Sequence, residues 1–272
     1  MQVQFQILIL LLIFITCDKL LASDQDAQYL DCTRLFSCGP TVRDIGYPFW
    51  GGDRPQECGL PGLQLQCPRD NYTTIDIGGR AFLVLSINNV NNSMKVVQID
   101  LLNDFCPDRY EVWLDENLDG RLMRYTPDVE RLTLFYACPP LNVPVGWSNF
   151  TCTVNGTDRL GYVVHESQSG VVTGCELNVT IPVLRSALNE LRRNGTRTTL
   201  GDVVNQGFGV EYEMDGTACA ACERSSGLCW SRTNSADQPT CLCRDGPHQF
   251  VCPDTGMSFA LLGSIAISSQ IV

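Results

Sequence analysis

Residues 45–59 read IGYPFWGGDRPQECG, and this stretch decides what kind of fold the chain can adopt. It carries three aromatic residues, two prolines and a pair of adjacent glycines, and we call it the aromatic segment. Pro48 and Pro55 lack a backbone N–H, so the segment suits neither a helix nor a central strand. Cross-links can hold such a segment in one shape, and we expect Cys38 and Cys58 to pin its ends.

The N-terminal residues 1–23 are typical of a secretory signal peptide. Residues 7–16 form an unbroken apolar run, and the small residues Ala22 and Ser23 follow at a position suited to cleavage. The run is shorter than the roughly 20 residues that span a membrane. Because no Lys or Arg precedes the run, an N-terminal anchor remains the alternative interpretation.

Cleavage of the signal would remove Cys17 and leave fourteen cysteines, an even number that predicts disulfides in a secreted chain. The spacing Cys219-x-x-Cys222 with Cys241-x-Cys243 also fits a four-thiolate zinc site. An oxidising compartment favours disulfides over zinc, and we expect no metal site. The predicted disulfide cysteines are Cys32, Cys38, Cys58, Cys67, Cys106, Cys138, Cys152, Cys175, Cys219, Cys222, Cys229, Cys241, Cys243 and Cys252.

Six Asn-x-Ser/Thr sequons indicate the same extracellular compartment. One sequon alone is weak evidence, but six together with a signal and paired cysteines are consistent with a secreted glycoprotein. The predicted glycosylation sites are Asn71, Asn91, Asn149, Asn155, Asn178 and Asn194.

The charge of the chain narrows the classes of ligand. The formal net charge is −11 and the pI is about 4.6. Nucleic acid is therefore excluded as an expected partner, because phosphate neutralisation needs a basic face. An acidic ligand would also be repelled unless basic residues cluster locally or a cation bridges.

The cysteines fall into two blocks, which predict one cysteine-rich domain over residues 24–140 and a second over residues 141–255. A proline-rich stretch at 138–146 is the candidate linker, and we expect disulfides to stay within each block. Runs rich in β-branched and aromatic residues predict strands. These runs are 81–87, 94–101, 110–114 and 131–138 in the first block and 161–167 and 175–184 in the second.

A single helix is predicted within residues 182–195. Leu184, Leu188 and Leu191 fall on one face, and Pro182 suits the first turn because its missing N–H costs little there. The predicted fold class is mainly β with one short helix, in two small disulfide-rich extracellular modules.

The tail, residues 256–272, turns apolar again. It is too short and too rich in serine to span a bilayer. A frayed terminus is the favoured interpretation, and the start of a membrane segment or a lipid-anchor signal are the alternatives.

Nothing in the sequence argues positively for catalysis, and we expect no catalytic residues. The only histidines, His165 and His248, lie in no recognisable triad motif. Gly78 and Gly79 precede a predicted strand without a phosphate-loop lysine, so they predict a hairpin turn.

Two interpretations of the aromatic segment remain open. Its rings fold inward as a small core, which we favour for Phe49. Alternatively, the rings of Tyr47 and Trp50, which each carry a polar group, form a platform for a sugar face. Arg43 or Arg54 would then meet carboxylates on the ligand.

The residues also carry a family resemblance. Four motifs resemble those of the extracellular galacturonan-binding domain of plant wall-associated receptor kinases. They are CGP at 38–40, IGYPFW, the stretch PQECGLPGLQLQC that ends at Cys67, and the downstream Cys106. The spacing is most similar to that of the leaf-rust-resistance-like receptor kinases. The later GFGVEYEMDGTACAACERSSGLCW and CLCRDG resemble the wall-associated kinase C-terminal domain. Two minor departures are Tyr212, where relatives commonly have Trp, and Trp230, where Gly is usual.

The resemblance implies binding of pectic polygalacturonan, including oligogalacturonides, at an extracellular site in the cell wall or on the outer face of the plasma membrane. The implied family also has a kinase and a membrane helix, but no kinase motif occurs in this sequence. We therefore expect no enzyme activity, and membrane association only through the family's transmembrane segment, which is missing here.

Because polygalacturonate and this chain are both anionic, binding needs a local source of positive charge. We hypothesise that arginines of the first block pair carboxylates bidentately. The candidates are Arg34, Arg43, Arg54, Arg69 and Arg80. No cofactor is expected, but calcium bridging to pectin is the rival account. The alternative function is a protein-binding ectodomain or soluble decoy that pairs with receptor proteins.

Overall fold

The computed structural model describes ten stretches of the chain. These stretches are residues 26–68, 71–102, 105–106, 122–140, 148–154, 156–165, 173–194, 199–214, 216–231 and 240–253. The predicted signal peptide, the tail 256–272 and the predicted strand at 110–114 lie outside them. The predicted class, mainly β and disulfide-rich, is confirmed, although the described residues contain four short helices where the sequence predicted one.

The strands are short and pair antiparallel. They are β1 (Phe36–Cys38), β2 (Val42–Ile45), β3 (Leu65–Gln66), β4 (Thr74–Ile77), β5 (Arg80–Asn88), β6 (Ser93–Gln98), β7 (Met123–Tyr125), β8 (Val129–Tyr136), β9 (Ser148–Val154), β10 (Thr157–His165), β11 (Leu177–Leu184), β12 (Phe208–Tyr212), β13 (Leu228–Trp230), β14 (Thr240–Cys243) and β15 (Gly246–His248).

The helices are α1 (26–33), α2 (Arg185–Asn194), α3 (Leu200–Asn205) and α4 (Gly216–Arg224). In the part of the chain that the structure describes, none of them has the length and apolarity that crossing a membrane requires.

The described residues belong to two compact units. Arg34–Met214 form one unit, and residues 26–33 with 216–253 belong to the other. This division follows spatial contacts. The boundaries near residues 140 and 255, which divide the chain by sequence module, stay a prediction.

The larger unit contains a six-stranded sheet in the order β3-β4-β5-β6-β12-β7. The predicted turn at Gly78 and Gly79 joins β4 to β5, and both glycines have positive φ, as a two-residue hairpin turn requires. Along β5, Phe82 and Val84 are buried while their neighbours are more exposed. The run at 81–87, which was predicted from its β-branched and aromatic residues, is thus confirmed as β5.

Strand β12 comes from far along the chain and completes this sheet between β6 and β7. Its side chains Phe208, Val210 and Tyr212 enter the core beneath the sheet. Phe208 packs edge-on against Phe82, with 5.9 Å between ring centroids. The first core is thus built from both predicted blocks.

A second sheet has the order β11-β8-β10-β9. Strand β8 lies in its interior and buries Leu132, Leu134 and Tyr136 on alternate positions. Leu188 of α2 and Val203 of α3 join the same core. The predicted strands at 131–138, 161–167 and 175–184 are confirmed as β8, β10 and β11, with shifted ends.

The predicted helix begins later than expected. Pro182 lies in β11 and pairs with Arg131 of β8, and α2 starts only at Arg185. An edge strand tolerates proline because one side of its backbone needs no partner. Leu184 and Leu188 are both buried, but Leu184 is the last residue of the strand and so does not belong to the predicted helix face.

All fourteen cysteines of the predicted set are disulfide-bonded. Two expectations about their pairing are wrong. Cys38 bonds to Cys67 and not to Cys58. Bonds also cross the predicted blocks, because β8 of the first block pairs with β10 and β11 of the second, which brings distant cysteines together. The crossing bonds are Cys106–Cys152 and Cys138–Cys175.

The smaller unit is held by three closely spaced disulfides. They are Cys219–Cys229, Cys222–Cys241 and Cys243–Cys252. The first two join α4 to the sheet β13-β14-β15. The thiols that resembled a zinc set are therefore consumed in disulfides, and a disulfide sulfur is not a thiolate ligand.

The sulfur cluster leaves no room for a side chain at position 227. A Cβ on Gly227 would lie 2.7 Å from the Sγ atoms of Cys222 and Cys252, and closer still to the Sγ of Cys241. Real Cβ atoms do not approach other heavy atoms this closely, so only glycine fits without moving the disulfides.

We predict that Gly227→Ala prevents correct disulfide formation in the smaller unit. The matched control is Gly216→Ala, because a Cβ at Gly216 meets nothing within 4 Å. Secreted yield and free thiols, titrated in denaturant, should show loss of protein or exposed thiols for Gly227→Ala only. Equal yield and no free thiols in both variants would contradict the packing argument.

Candidate functional site

The aromatic segment follows β2 and folds through turns and isolated bridges. The peptide between Tyr47 and Pro48 is cis. The backbone of Trp50 pairs with the chain near Gln64, and its carbonyl accepts a hydrogen bond from Leu65 N at 2.8 Å. The prolines thus keep the segment out of regular ladders, as the sequence predicted.

The three rings of the segment have different roles. Phe49 is fully buried and packs edge-on against Tyr212 of β12, with 5.1 Å between centroids. Tyr47 is half-buried against the same core. Trp50 is also half-buried, and its Nε1 donates to Leu60 O at 3.0 Å. Phe49 is therefore a core residue, while Tyr47 and Trp50 retain exposed surface.

Arg54 lies inside the segment and binds backbone carbonyls. Only 4% of its surface is exposed. Its Nε donates to Phe49 O at 3.0 Å, its Nη2 to Cys58 O at 2.7 Å and its Nη1 to Arg34 O at 2.6 Å. Burial lowers the pKa of Arg54 to about 10, so the guanidinium remains charged at neutral pH.

The position of Arg54 corrects its predicted role. A guanidinium whose N–H groups point at buried carbonyls does not present itself to a polymer outside. Arg54 therefore fixes the shape of the aromatic segment and is no longer a candidate ligand residue. The sequence did not reveal that this side chain is buried.

The remaining candidate arginines lie at the surface of the same unit or outside the described residues. Arg34 and Arg43 are exposed, and Arg80 is partly exposed at the start of β5. The Nε of Arg43, on β2, lies 3.5 Å from Pro40 O. Arg69 lies outside the described residues. We call Arg34, Arg43 and Arg80 the basic surface.

A cleft of about 450 Å³ lies elsewhere on this unit, and sequence reasoning missed it. Its lining residues are Asn91, Asn92, Leu122, Met123, Arg124, Glu211, Tyr212, Glu213 and Met214. Arg124 Nε and Glu211 Oε2 form an ion pair at 2.7 Å, although the two residues are 87 positions apart. The hydrogen bond from Arg124 to Glu211 is the main reason that the pKa of Arg124 is raised.

The charges of the cleft do not favour a polyanion. One guanidinium, that of Arg124, faces the carboxylates of Glu211 and Glu213. The cleft floor includes Tyr212, whose hydroxyl pKa burial raises to about 12, so it stays neutral. An anionic sugar polymer entering this cleft would meet net negative charge.

The sequons are also placed by the structure. Asn71, Asn91, Asn149 and Asn178 are exposed, and Asn91 lies on the wall of the cleft. Asn155 and the side chain of Asn194 lie outside the described part. The exposed positions are accessible to modification, and their glycosylation stays a prediction.

Comparison with known families agrees with the resemblance seen in the sequence. Residues 32–98 match the model of the wall-associated receptor kinase galacturonan-binding domain, and residues 151–246 match that of the wall-associated receptor kinase C-terminal domain. The chain belongs to the family of wall-associated receptor kinase extracellular regions. The basic surface and the aromatic segment lie in the first matched region, and β12 lies in the second.

Receptor-like kinases of Arabidopsis thaliana are similar to the chain over most of its length. The leaf rust 10 disease-resistance locus receptor-like protein kinase-like 2.1 is 28% identical over 266 residues, which cover 93% of this chain and 40% of that protein. The kinase-like 2.2 protein is 32% identical over 216 residues, 78% of this chain and 32% of that protein. The chain spans less than half the length of these relatives.

Both matched models describe extracellular domains, and no kinase domain matches the chain. The family therefore indicates an extracellular region of the galacturonan-binding type. No solved structure matches the chain.

We predict that Arg54→Met lowers the free energy of unfolding by roughly 3 kcal/mol, because it leaves several buried carbonyls without a donor. The exposed control, Arg43→Met, should change it by less than about 0.5 kcal/mol. Urea unfolding with the disulfides intact, followed by tryptophan fluorescence, measures both. Equal small effects would mean that the carbonyls find other donors.

Proposed function

We propose that the protein binds pectic polygalacturonan through residues 32–98, in the cell wall or on the outer face of the plasma membrane. The match of this region to a galacturonan-binding domain carries the proposal. The formal charge of this region and its exposed arginines and aromatic rings supply the physical support.

The charge of the chain is distributed unevenly. Residues 32–98 contain six Lys and Arg against five Asp and Glu, a formal charge of +1, whereas the whole chain carries −11. The residues outside this region therefore carry −12. A polyanion therefore meets less repulsion at residues 32–98 than over the rest of the chain as a whole, and the same residues match the galacturonan-binding family model.

The basic surface supplies groups suited to a uronate polymer. A guanidinium can donate two parallel hydrogen bonds to one carboxylate, and a polygalacturonate offers a carboxylate on each sugar. One exposed ion pair contributes little, typically 0.2–1 kcal/mol as an order of magnitude. Several arginines that engage one polymer add up, because the polymer tethers its own carboxylates.

The partly exposed rings supply the apolar part of the site. Tyr47 and Trp50 lie in the aromatic segment, which turns, disulfides and the buried Arg54 hold in one shape. A rigid ring costs little entropy when a sugar face packs on it. The proposed contacts are thus Arg43 and Arg80 with carboxylates and Trp50 with a sugar face.

We predict that Arg43→Gln and Arg80→Gln each weaken oligogalacturonate binding by roughly two- to five-fold, and that the double variant weakens it further. The control Arg192→Gln removes one exposed charge from α2, outside residues 32–98, and should leave affinity unchanged. Isothermal titration calorimetry on the full glycosylated chain measures all four, and added salt should weaken the binding of the wild type.

Further conditions separate the rival accounts. If binding is lost entirely in a calcium chelator, calcium bridging replaces direct arginine contact. If a fully methyl-esterified oligogalacturonide binds as tightly as the free acid, carboxylate pairing is wrong. If no oligogalacturonide binds but a receptor protein does, and pectin does not compete, the chain is a protein-binding ectodomain.

A further inference from the structure

Strands β9 and β11 form the two outer positions of the four-stranded sheet. In the described part of the chain, β9 pairs with β10 alone and β11 pairs with β8 alone. The outer side of each strand carries backbone N–H and C=O groups that pair with no described strand, although Cys106 Sγ lies 4.0 Å from Thr151 O of β9. Proteins commonly protect such edges with charged side chains, prolines or bulges.

These two edge strands contain no charged residue. Strand β9 reads SNFTCTV and β11 reads LNVTIPVL, whereas the interior strands β8 and β10 both contain Glu, Asp or Arg. Pro182 interrupts one position of β11, but β9 has no proline. Uncharged strands rich in β-branched residues are prone to pair with other chains when exposed.

Each edge strand contains a glycosylation sequon, and the pairing register places the two asparagines in one row across the sheet. Asn178 of β11 lies opposite Phe135, Phe135 opposite Tyr162, and Tyr162 opposite Asn149 of β9. Residues directly opposite in an antiparallel sheet point to the same face. The two exposed asparagines therefore stand on one face, three strand spacings or about 14 Å apart.

We propose that N-linked glycans on Asn149 and Asn178 guard the two outer strands of this sheet against pairing with a second copy of the chain. A strand added at either edge must lie about 4.8 Å from it and pack its side chains beside those of the edge strand. A glycan on that face occupies the space where those side chains would lie. The glycans thus replace the charged residues that both edges lack.

The other described sequons offer a matched comparison. Asn71 lies between β3 and β4, and Asn91 lies in the turn between β5 and β6, so neither is on a strand at a sheet edge. Removal of Asn71 and Asn91 deletes as many sequons as removal of the edge pair, and the same mass spectrometry measures the occupancy of all four sites. Any general loss of solubility therefore affects both double variants.

The experiment compares three double variants of the full chain from a glycosylating host. Glycopeptide mass spectrometry of the wild type should find both edge sites occupied. The Asn149→Gln/Asn178→Gln variant should self-associate with rising concentration in sedimentation velocity, while Asn71→Gln/Asn91→Gln stays monomeric. Asn149→Lys/Asn178→Lys should stay monomeric without glycans, because charge also guards an edge.

Several results would overturn the proposal. They are an unoccupied edge site in the wild type, a monomeric Gln edge variant, equal association of the two Gln variants, or association of the Lys variant. If the Gln edge variant is not secreted, an endoglycosidase that trims the glycans of the folded wild type replaces it, because this enzyme leaves an uncharged asparagine that carries one sugar. Deglycosylation should then cause association of the wild type but not of the Lys variant, and no association in either would count against the proposal.

Discussion

The insertion of β12 between β6 and β7 is the interaction on which the rest of the larger unit depends. It closes the six-stranded sheet and delivers Phe208, Val210 and Tyr212 to the first core. Val210 has no exposed surface, and Tyr212 packs on Phe49 of the aromatic segment. A loss of β12 would therefore expose the same core that shapes the proposed binding region. Although the two matched family regions are separate in sequence, the first takes part of its core from the second.

This arrangement explains why a region rich in turns can present a defined surface. The aromatic segment has few backbone bonds of a regular kind, so its shape comes from side chains. Phe49 packs on Tyr212 in the core, and the guanidinium of Arg54 donates to three nearby carbonyls. Trp50 Nε1 donates to Leu60 O. Because the guanidinium of Arg54 donates to internal carbonyls, the proposed recognition of carboxylates relies on the exposed arginines. A site ordered before binding loses less entropy when a ligand arrives.

The sequence predicted the features that depend on local pattern. Runs rich in β-branched and aromatic residues located β5 and β8, and the pair Gly78–Gly79 located a hairpin turn, since both signals lie within a few neighbouring residues. The burial of Phe49 also followed from its apolar ring.

Features that depend on residues distant in the sequence were not predicted. The sequence of β12, which contains Gly209, does not predict a strand by itself. Its strand conformation depends on pairing with β6 and β7. The ion pair of Arg124 with Glu211 and the bond Cys106–Cys152 likewise join residues that no local signal connects. Arg54 is the clearest example of what sequence cannot predict, because the presence of an arginine does not show whether its guanidinium binds internal carbonyls or faces solvent.

The uneven charge also affects where an anionic polymer would bind under the proposed function. The residues outside 32–98 carry a formal charge of −12, which disfavours a polygalacturonate there, and the cleft beside Arg124 contains two of the carboxylates that make up this charge. Repulsion elsewhere makes binding selective, because a wrong location costs free energy even where contacts are available. Glycans at Asn149 and Asn178 would add a steric barrier over one face of the second sheet without adding positive charge. Arg43 and Arg80 of the proposed site lie in residues 32–98, whose formal charge is +1, so weak individual arginine contacts there would add to the selectivity that repulsion elsewhere provides.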